Sequence, residues 1–280
     1  MKLFIRAHDL GVKGENAVVA RLDELGLDGV QLVAYKVLDD VSYSPGAITE
    51  ERAKAVADTF KTAGKTVPLI GAYFNPVHPN EEKIKNGVAV FKDYLGMAKA
   101  LGGNIVGSET GSYNGDKWTY HPQNRTEEAV ERVIRTFSEL CEYAEDCGVN
   151  VGMEGAYGHV CHNVKTLERA VKNIGANNIR IIFDLYNYLD KSNVDQMYDI
   201  LSEGLQTFGD RICVFHVKDC VVAEDGSLKQ CGVGKGIFDY PRILGEIKKV
   251  CPDANLVFEG TTGDDIPYAV SFIKNILKPL

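Results

Sequence analysis

Residues 150–185, NVGMEGAYGHVCHNVKTLERAVKNIGANNIRIIFDL, read as one complete strand–helix–strand unit. Asn150–Glu154 and Ile179–Leu185 are short β-rich runs, and Ile181-Ile182-Phe183 is continuously apolar, as a strand buried on both faces requires. Between them, Asn163 is a helix-capping residue and Gly175 a helix stop that tolerates the left-handed conformation. Outward from this unit the same pattern recurs, with β-like runs at Leu3–Ala7, Gly29–Val33, Val67–Tyr73, Asn104–Ser108, Ile212–Val217 and Asn255–Glu259. The clearest intervening helix places Ala129, Val130, Val133, Ile134, Phe137, Leu140, Cys141 and Ala144 on one face. Thr49 and Asn80 are further N-caps, and Gly26 and Gly148 further stops a few residues before the next strand. Helix-to-strand joints are therefore short, whereas strand-to-helix joints are long and polar, notably Thr110–Arg125 and Lys218–Gly236. Eight such units with no break in composition predict an α/β chain folded over residues 1–280 as a single-domain (β/α)₈ TIM barrel, its C-terminal rim elaborated for function. An open doubly wound sheet is the alternative, but no Gly-x-Gly-x-x-Gly follows the first strand.

The chain has 280 residues, 45% hydrophobic and 25% charged, enough to bury a large core. No run of eighteen apolar residues occurs, which argues against a membrane partner, and Met1-Lys2-Leu3-Phe4-Ile5-Arg6 does not read as a signal peptide. A net charge of −8 argues against nucleic acid. The seven cysteines are odd in number and form no Cys-x-x-Cys pair, the usage of a reducing, cytoplasmic protein.

Four of the apolar runs end in ionisable side chains. Val151-Gly152-Met153 leads into Glu154, Ile181-Ile182-Phe183 into Asp184, Cys213-Val214-Phe215 into His216, and Leu256-Val257-Phe258 into Glu259. A buried charge without a partner is costly, so four at matching strand ends call for a common cause. In a barrel those ends converge on one mouth, where three carboxylates repel unless a cation neutralises them. Oxygen-rich ligands with one imidazole suit Mn²⁺ first, with Mg²⁺, Co²⁺ or Fe²⁺ as alternatives; Zn²⁺ stays open.

This Glu–Asp–His–Glu series resembles the xylose-isomerase-like barrel superfamily, which includes sugar isomerases, ketose 3-epimerases, inosose dehydratases and apurinic/apyrimidinic endonucleases. Gly107-Ser108-Glu109-Thr110-Gly111-Ser112 is similar to a segment of its sugar-phosphate isomerase/epimerase members, as are Phe183-Asp184-Leu185-Tyr186-Asn187, His216-Val217-Lys218-Asp219 and Gly234-Lys235-Gly236. The resemblance implies one divalent metal held by Glu154, Asp184, His216 and Glu259, with Glu154 and Glu259 also the acid–base pair. It implies an isomerase or epimerase of a keto-sugar or related small polyhydroxy compound, working by proton transfer through a metal-bound enediolate. A lyase on the same scaffold, a keto-inositol dehydratase or C-glycoside-cleaving enzyme, is the alternative. The chain departs from the ketose 3-epimerases at Asn187 and Val222, where those enzymes have histidine and arginine, and it lacks the added histidines of a trinuclear zinc phosphodiesterase.

Substrate contacts are expected from the other strand ends and long loops: His8 after strand one, Glu109 after strand four, His159, Asn187, Lys218, and Trp118, the single tryptophan. Aromatic faces stack on the C–H faces of sugars, which suits Trp118 to a pocket wall. His78 reads as a solvent-facing loop histidine. The expected partner is a small sugar or polyol, and a homo-oligomer is left open.

Overall fold

The computed structural model describes residues 1–279. Its eight parallel barrel strands are β1 (Lys2–Arg6), β2 (Gly29–Leu32), β3 (Thr66–Gly71), β4 (Ile105–Glu109), β5 (Asn150–Glu154), β6 (Ile179–Asp184), β7 (Ile212–Val217) and β10 (Asn255–Phe258). They close in the order β1-β10-β7-β6-β5-β4-β3-β2, so β10 pairs with β1 and no edge is left open. The expected TIM barrel is therefore the observed fold. The outer ring is α1 (Glu15–Leu25), α3 (Glu50–Thr62), α4 (Glu81–Met97), α5 (Glu127–Cys147), α6 (Val164–Ile174), α7 (Met197–Phe208), α8 (Tyr240–Val250) and α9 (Asp265–Leu277), with a one-turn α2 (Ala34–Val37) after β2.

The caps act as their residue types require. Thr49, Asn80 and Asn163 accept from the backbone amides of Arg52, Glu82 and Thr166, satisfying donors that the first helical turn cannot. Gly148 closes α5 in the left-handed conformation at φ 64°.

Side chains alternate across each strand, and this alternation positions the site. Phe4, Leu69, Ile182, Val214 and Val257 form a buried apolar cluster of their own, separate from the larger core under the helices. Two residues further along four of these strands, on the same face, stand Arg6, Asp184, His216 and Glu259. The barrel thus carries an apolar plug with a charged tier directly above it. Gly107 and Gly152 make room in the plug, since a Cβ on either would stand 2.5 or 3.1 Å from Ile182 Cδ1.

The joint Lys218–Gly236 is no plain loop: it contains an antiparallel hairpin, β8 (Asp219–Val222) and β9 (Leu228–Cys231), turning at Asp225-Gly226 with Gly226 at φ 79°. An Asp-Gly pair is a strong hairpin signal, so the cue was present. Buried Asp219 ties this excursion down by accepting from the amides of Cys220, Gly234, Gly236 and Phe238. Gly236 has to be glycine there, because a Cβ would stand 2.1 Å from Asp219 Oδ1. Among the described residues no helix is long and apolar enough to cross a membrane, and all seven cysteines are unpaired.

Candidate metal centre

Glu154, Asp184, His216 and Glu259 come together at the C-terminal mouth, each offering one ligand atom, all within 4.8 Å of one another. His216 Nδ1 lies 3.3 Å from Glu154 Oε1, 3.4 Å from Asp184 Oδ2 and 2.7 Å from Glu259 Oε2. Glu154 and Asp184 end their strands, whereas Glu259 stands one residue beyond β10.

The imidazole is oriented from behind. Gln31 Nε2 donates to the Tyr73 hydroxyl at 2.7 Å, which turns its Oε1 toward His216 Nε2 at 2.8 Å. Nε2 then carries the proton it donates and Nδ1 faces the carboxylates, which raise the imidazole well above its ordinary pKa against the effect of burial, so that a cation bound at Nδ1 would take the place of a proton. Glu154 Oε2 is buried without a hydrogen-bond partner, while Asp184 Oδ2 and His216 Nδ1 are buried with one close ion-pair partner each, Lys218 at 2.9 Å and Glu259 at 2.7 Å. Orphaned buried acceptors are rare and costly. One such oxygen among three carboxylates and an imidazole, with ligand atoms within 4.8 Å of one another, fits a divalent cation of the hard-to-borderline class, and the absence of any thiolate argues against a Cys-type zinc site.

Two cations already balance part of the charge. Lys218 Nζ lies 2.9 Å from both Asp184 Oδ2 and Glu259 Oε1 and donates to Asn187 Oδ1 at 3.0 Å. Arg6 pairs with Glu259 Oε1 at 2.7 Å and with Asp9 at 2.9 Å. Burial pushes the Glu154 carboxyl up to about 7, with Glu109 and Glu259 adding to it against the pull of His216. For Glu259 burial acts in the same direction, but Lys218, His216 and Arg6 outweigh it and hold the group well below the usual range. Asp184 is likewise held low, as Lys218 and His216 overcome burial. Two glutamates of one cluster thus differ in proton affinity because the cations sit beside only one of them.

The remaining candidates divide. Glu109 stands opposite Glu154 in the β4–β5 register and, with His8, Lys36 and Trp118, lines a polar cavity of about 290 Å³ that opens onto Glu154 and Glu259. His8 is neutral, its pKa lowered to about 4 by burial and by Arg6. Asn187 donates to Glu154 Oε1 at 2.7 Å, and Lys218 is spent on the carboxylates, so both face the cluster rather than the rim. His159 Nε2 donates to the Trp118 carbonyl at 3.1 Å, which makes it an anchor of the tryptophan loop. His78 is not solvent-facing: it is buried, with Nε2 on Asp116 at 3.3 Å, because the loop after β3 folds beneath the loop after β4. Gln31 and Tyr73 escaped the sequence reading. The signal for Gln31 was a polar residue inside the apolar run Val30-Gln31-Leu32. A larger hollow of about 650 Å³ between α3 and α4 contains none of these residues.

The barrel has counterparts among known proteins. The family model described as xylose isomerase-like TIM barrel matches residues 19–276, and the chain belongs to that family. An uncharacterised protein of Methanocaldococcus jannaschii is 26% identical over 207 residues, covering 73% of this chain and 67% of its own. The D-psicose 3-epimerase of Enterocloster bolteae is 23% identical over 225 residues, covering 73% and 72%. The solved structure of the IolI protein with a bound zinc atom superposes with a TM-score of 0.74 at 16% identity, covering 99% of this chain and 96% of that one.

Proposed function

We propose that the protein is a divalent-metal-dependent isomerase or epimerase of a keto-sugar or closely related small polyhydroxy compound. The observation that carries this is the convergence of Glu154, Asp184, His216 and Glu259, their ligand atoms within 4.8 Å of one another and Glu154 Oε2 left without a partner, beneath a polar cavity. The family relationship and the epimerase among the relatives support the same reading. Glu154, Asp184, His216 and Glu259 would hold the ion; Mn²⁺ and Mg²⁺ suit the oxygen-rich set, and a neighbour's zinc keeps that metal in view. Bound there, it would polarise a substrate carbonyl and stabilise the negative charge that develops on its oxygen.

The protein's own residues handle the proton. Glu259, kept ionised by Lys218 and Arg6, would remove a proton from the carbon next to a carbonyl. Glu154, across the cluster and higher in proton affinity, would return one. Return at the same carbon from the opposite face inverts the centre, whereas return at the neighbouring carbon exchanges aldose for ketose. Glu109 and His8 line the open side, where they can hold the sugar hydroxyls. Asn187 bridges Glu154 and Lys218 and so fixes the spacing of acid and cation.

Proton NMR in D₂O with Mg²⁺-loaded protein and a panel of ketoses, inososes and their phosphates tests the reading. The expected result is loss of one C–H signal as a second sugar appears, abolished by chelator. An eliminated product would assign the site to the lyases, and neither exchange nor product across the panel would contradict the proposal.

A further inference from the structure

The polar cavity over the glutamates does not stop at Trp118. A second hollow of about 570 Å³ adjoins it and shares Tyr35, Tyr73 and Trp118 as walls. Tyr43 and Phe74 complete an aromatic lining, with Tyr35 and Tyr43 packed edge to face at 4.8 Å between centroids. Trp118 is the one non-glycine residue with positive φ among the described residues, at 53°, and its carbonyl is held by His159. A left-handed tryptophan costs on the order of 1 kcal/mol or more, so its placement between the two hollows is enforced by its surroundings.

Many of the polar groups around this hollow are engaged, the Tyr35 hydroxyl and exposed Asn86 excepted. The Tyr43 hydroxyl donates to the Tyr73 carbonyl at 3.1 Å. The Asn75 amide donates to the carbonyls of Ser112 and Gly115 and accepts from the amides of Val77 and Ser112. His78 accepts from the Asn80 amide and donates to Asp116, which Lys83 also holds. The inner wall therefore presents ring faces and few free donors or acceptors. A second sugar ring would replace only a few of the hydrogen bonds to water that it loses, whereas a flat apolar ring would lose none and gain stacking.

We propose that this hollow is a subsite for a planar aromatic group linked glycosidically to the sugar that sits over Glu154 and Glu259. The inference rests on the proposed function for where the sugar lies. A glycoside has its anomeric carbon masked, so the carbonyl that acidifies the exchanged C–H is a ketone on the ring. The substrate class is then an aryl glycoside carrying a ring ketone.

Trp118 is the single tryptophan and lines both hollows, so its fluorescence reports binding directly. Mg²⁺-loaded protein is titrated with phenyl β-D-glucopyranoside, methyl β-D-glucopyranoside and cellobiose. The phenyl glycoside should bind about tenfold tighter than the methyl glycoside, the worth of one good aromatic contact, and cellobiose no tighter than the methyl compound. Asn86→Phe, at an exposed wall position of α4, should fill the hollow and erase the phenyl advantage without changing methyl glycoside affinity; Tyr43→Ala should erase it by removing a ring. Equal phenyl and methyl affinities, tighter cellobiose, no saturable response to the phenyl glycoside, or a phenyl advantage that survives both variants would overturn the subsite. The D₂O exchange assay separates the two proposals. Exchange on ketoses without phenyl preference removes the subsite alone, and phenyl preference without exchange on any ketone removes the proposed chemistry alone.

Discussion

Strands β5, β6, β7 and β10 lead into Glu154, Asp184, His216 and Glu259, whereas the inward-facing residues at the ends of β1, β2 and β4 are Arg6, Gln31 and Glu109, with Tyr73 just beyond β3. The first set gathers three carboxylates and one imidazole at a point, with Glu154 Oε2 left unpaired. The second set is almost fully engaged: Arg6 on Asp9 and Glu259, Gln31 between Tyr73 and His216. One half of the mouth therefore needs a cation, and the other half aims the ligands at it and shapes the space above. Glu109 is the exception, a first-half carboxylate that faces the cavity.

The comparison breaks most sharply at Glu259. In metal-saturated Glu259→Gln, turnover should fall by roughly 10²–10⁴ with an unchanged circular dichroism spectrum; near-normal turnover would move proton transfer to another residue. Lys218→Met should come next, because it strips the compensating cation from two buried carboxylates. Loss of stability should be about 3–5 kcal/mol in chelator, by urea titration, and smaller with excess Mg²⁺, which supplies charge in its place. An equal loss in both conditions would mean that Lys218 acts by packing rather than by charge. Gln31→Leu, on the first half, should weaken metal binding by about 10–100-fold while leaving the fold intact, as removal of a histidine's orienting partner does. Wild-type affinity would show that His216 does not depend on the first half for its aim.

The smallest expected effects lie in the helices behind the ligand half. At Gly204 in α7 an added Cβ would stand 2.1 Å from the Phe183 ring, so Gly204→Ala should cost about 1–3 kcal/mol. At Gly245 in α8 nothing lies within 4 Å, so Gly245→Ala should stabilise by roughly 0.5–1 kcal/mol. Thermal melts of the two variants should shift in opposite directions; shifts of the same sign would mean that the packing behind β6 is looser than these distances require.

The two halves also differed in how much of them could be read from residues alone. Glu154, Asp184, His216 and Glu259 were legible because a charge after an apolar run is an anomaly wherever the strand sits. The caps at Thr49, Asn80 and Asn163 were legible for a similar reason, since capping is local chemistry. Gln31 carried a weaker form of the same signal, and its meaning depended on a contact 185 residues away in the chain. Lys218 and Asn187 are expected as substrate contacts because spacing reveals that they lie near the ligands but not which way they turn; in the structure both engage the carboxylates. His78 was misread because its burial comes from the packing of two loops, which no local pattern encodes.

The most direct test is metal stoichiometry by mass spectrometry together with calorimetric titration of Mn²⁺ and Mg²⁺ into chelator-treated protein, for the natural chain and for His216→Ala. The account predicts one divalent ion per chain in the natural protein and affinity largely lost in the variant, with the barrel still folded by circular dichroism. No saturable binding to the natural chain, or undiminished affinity in folded His216→Ala protein, would contradict it.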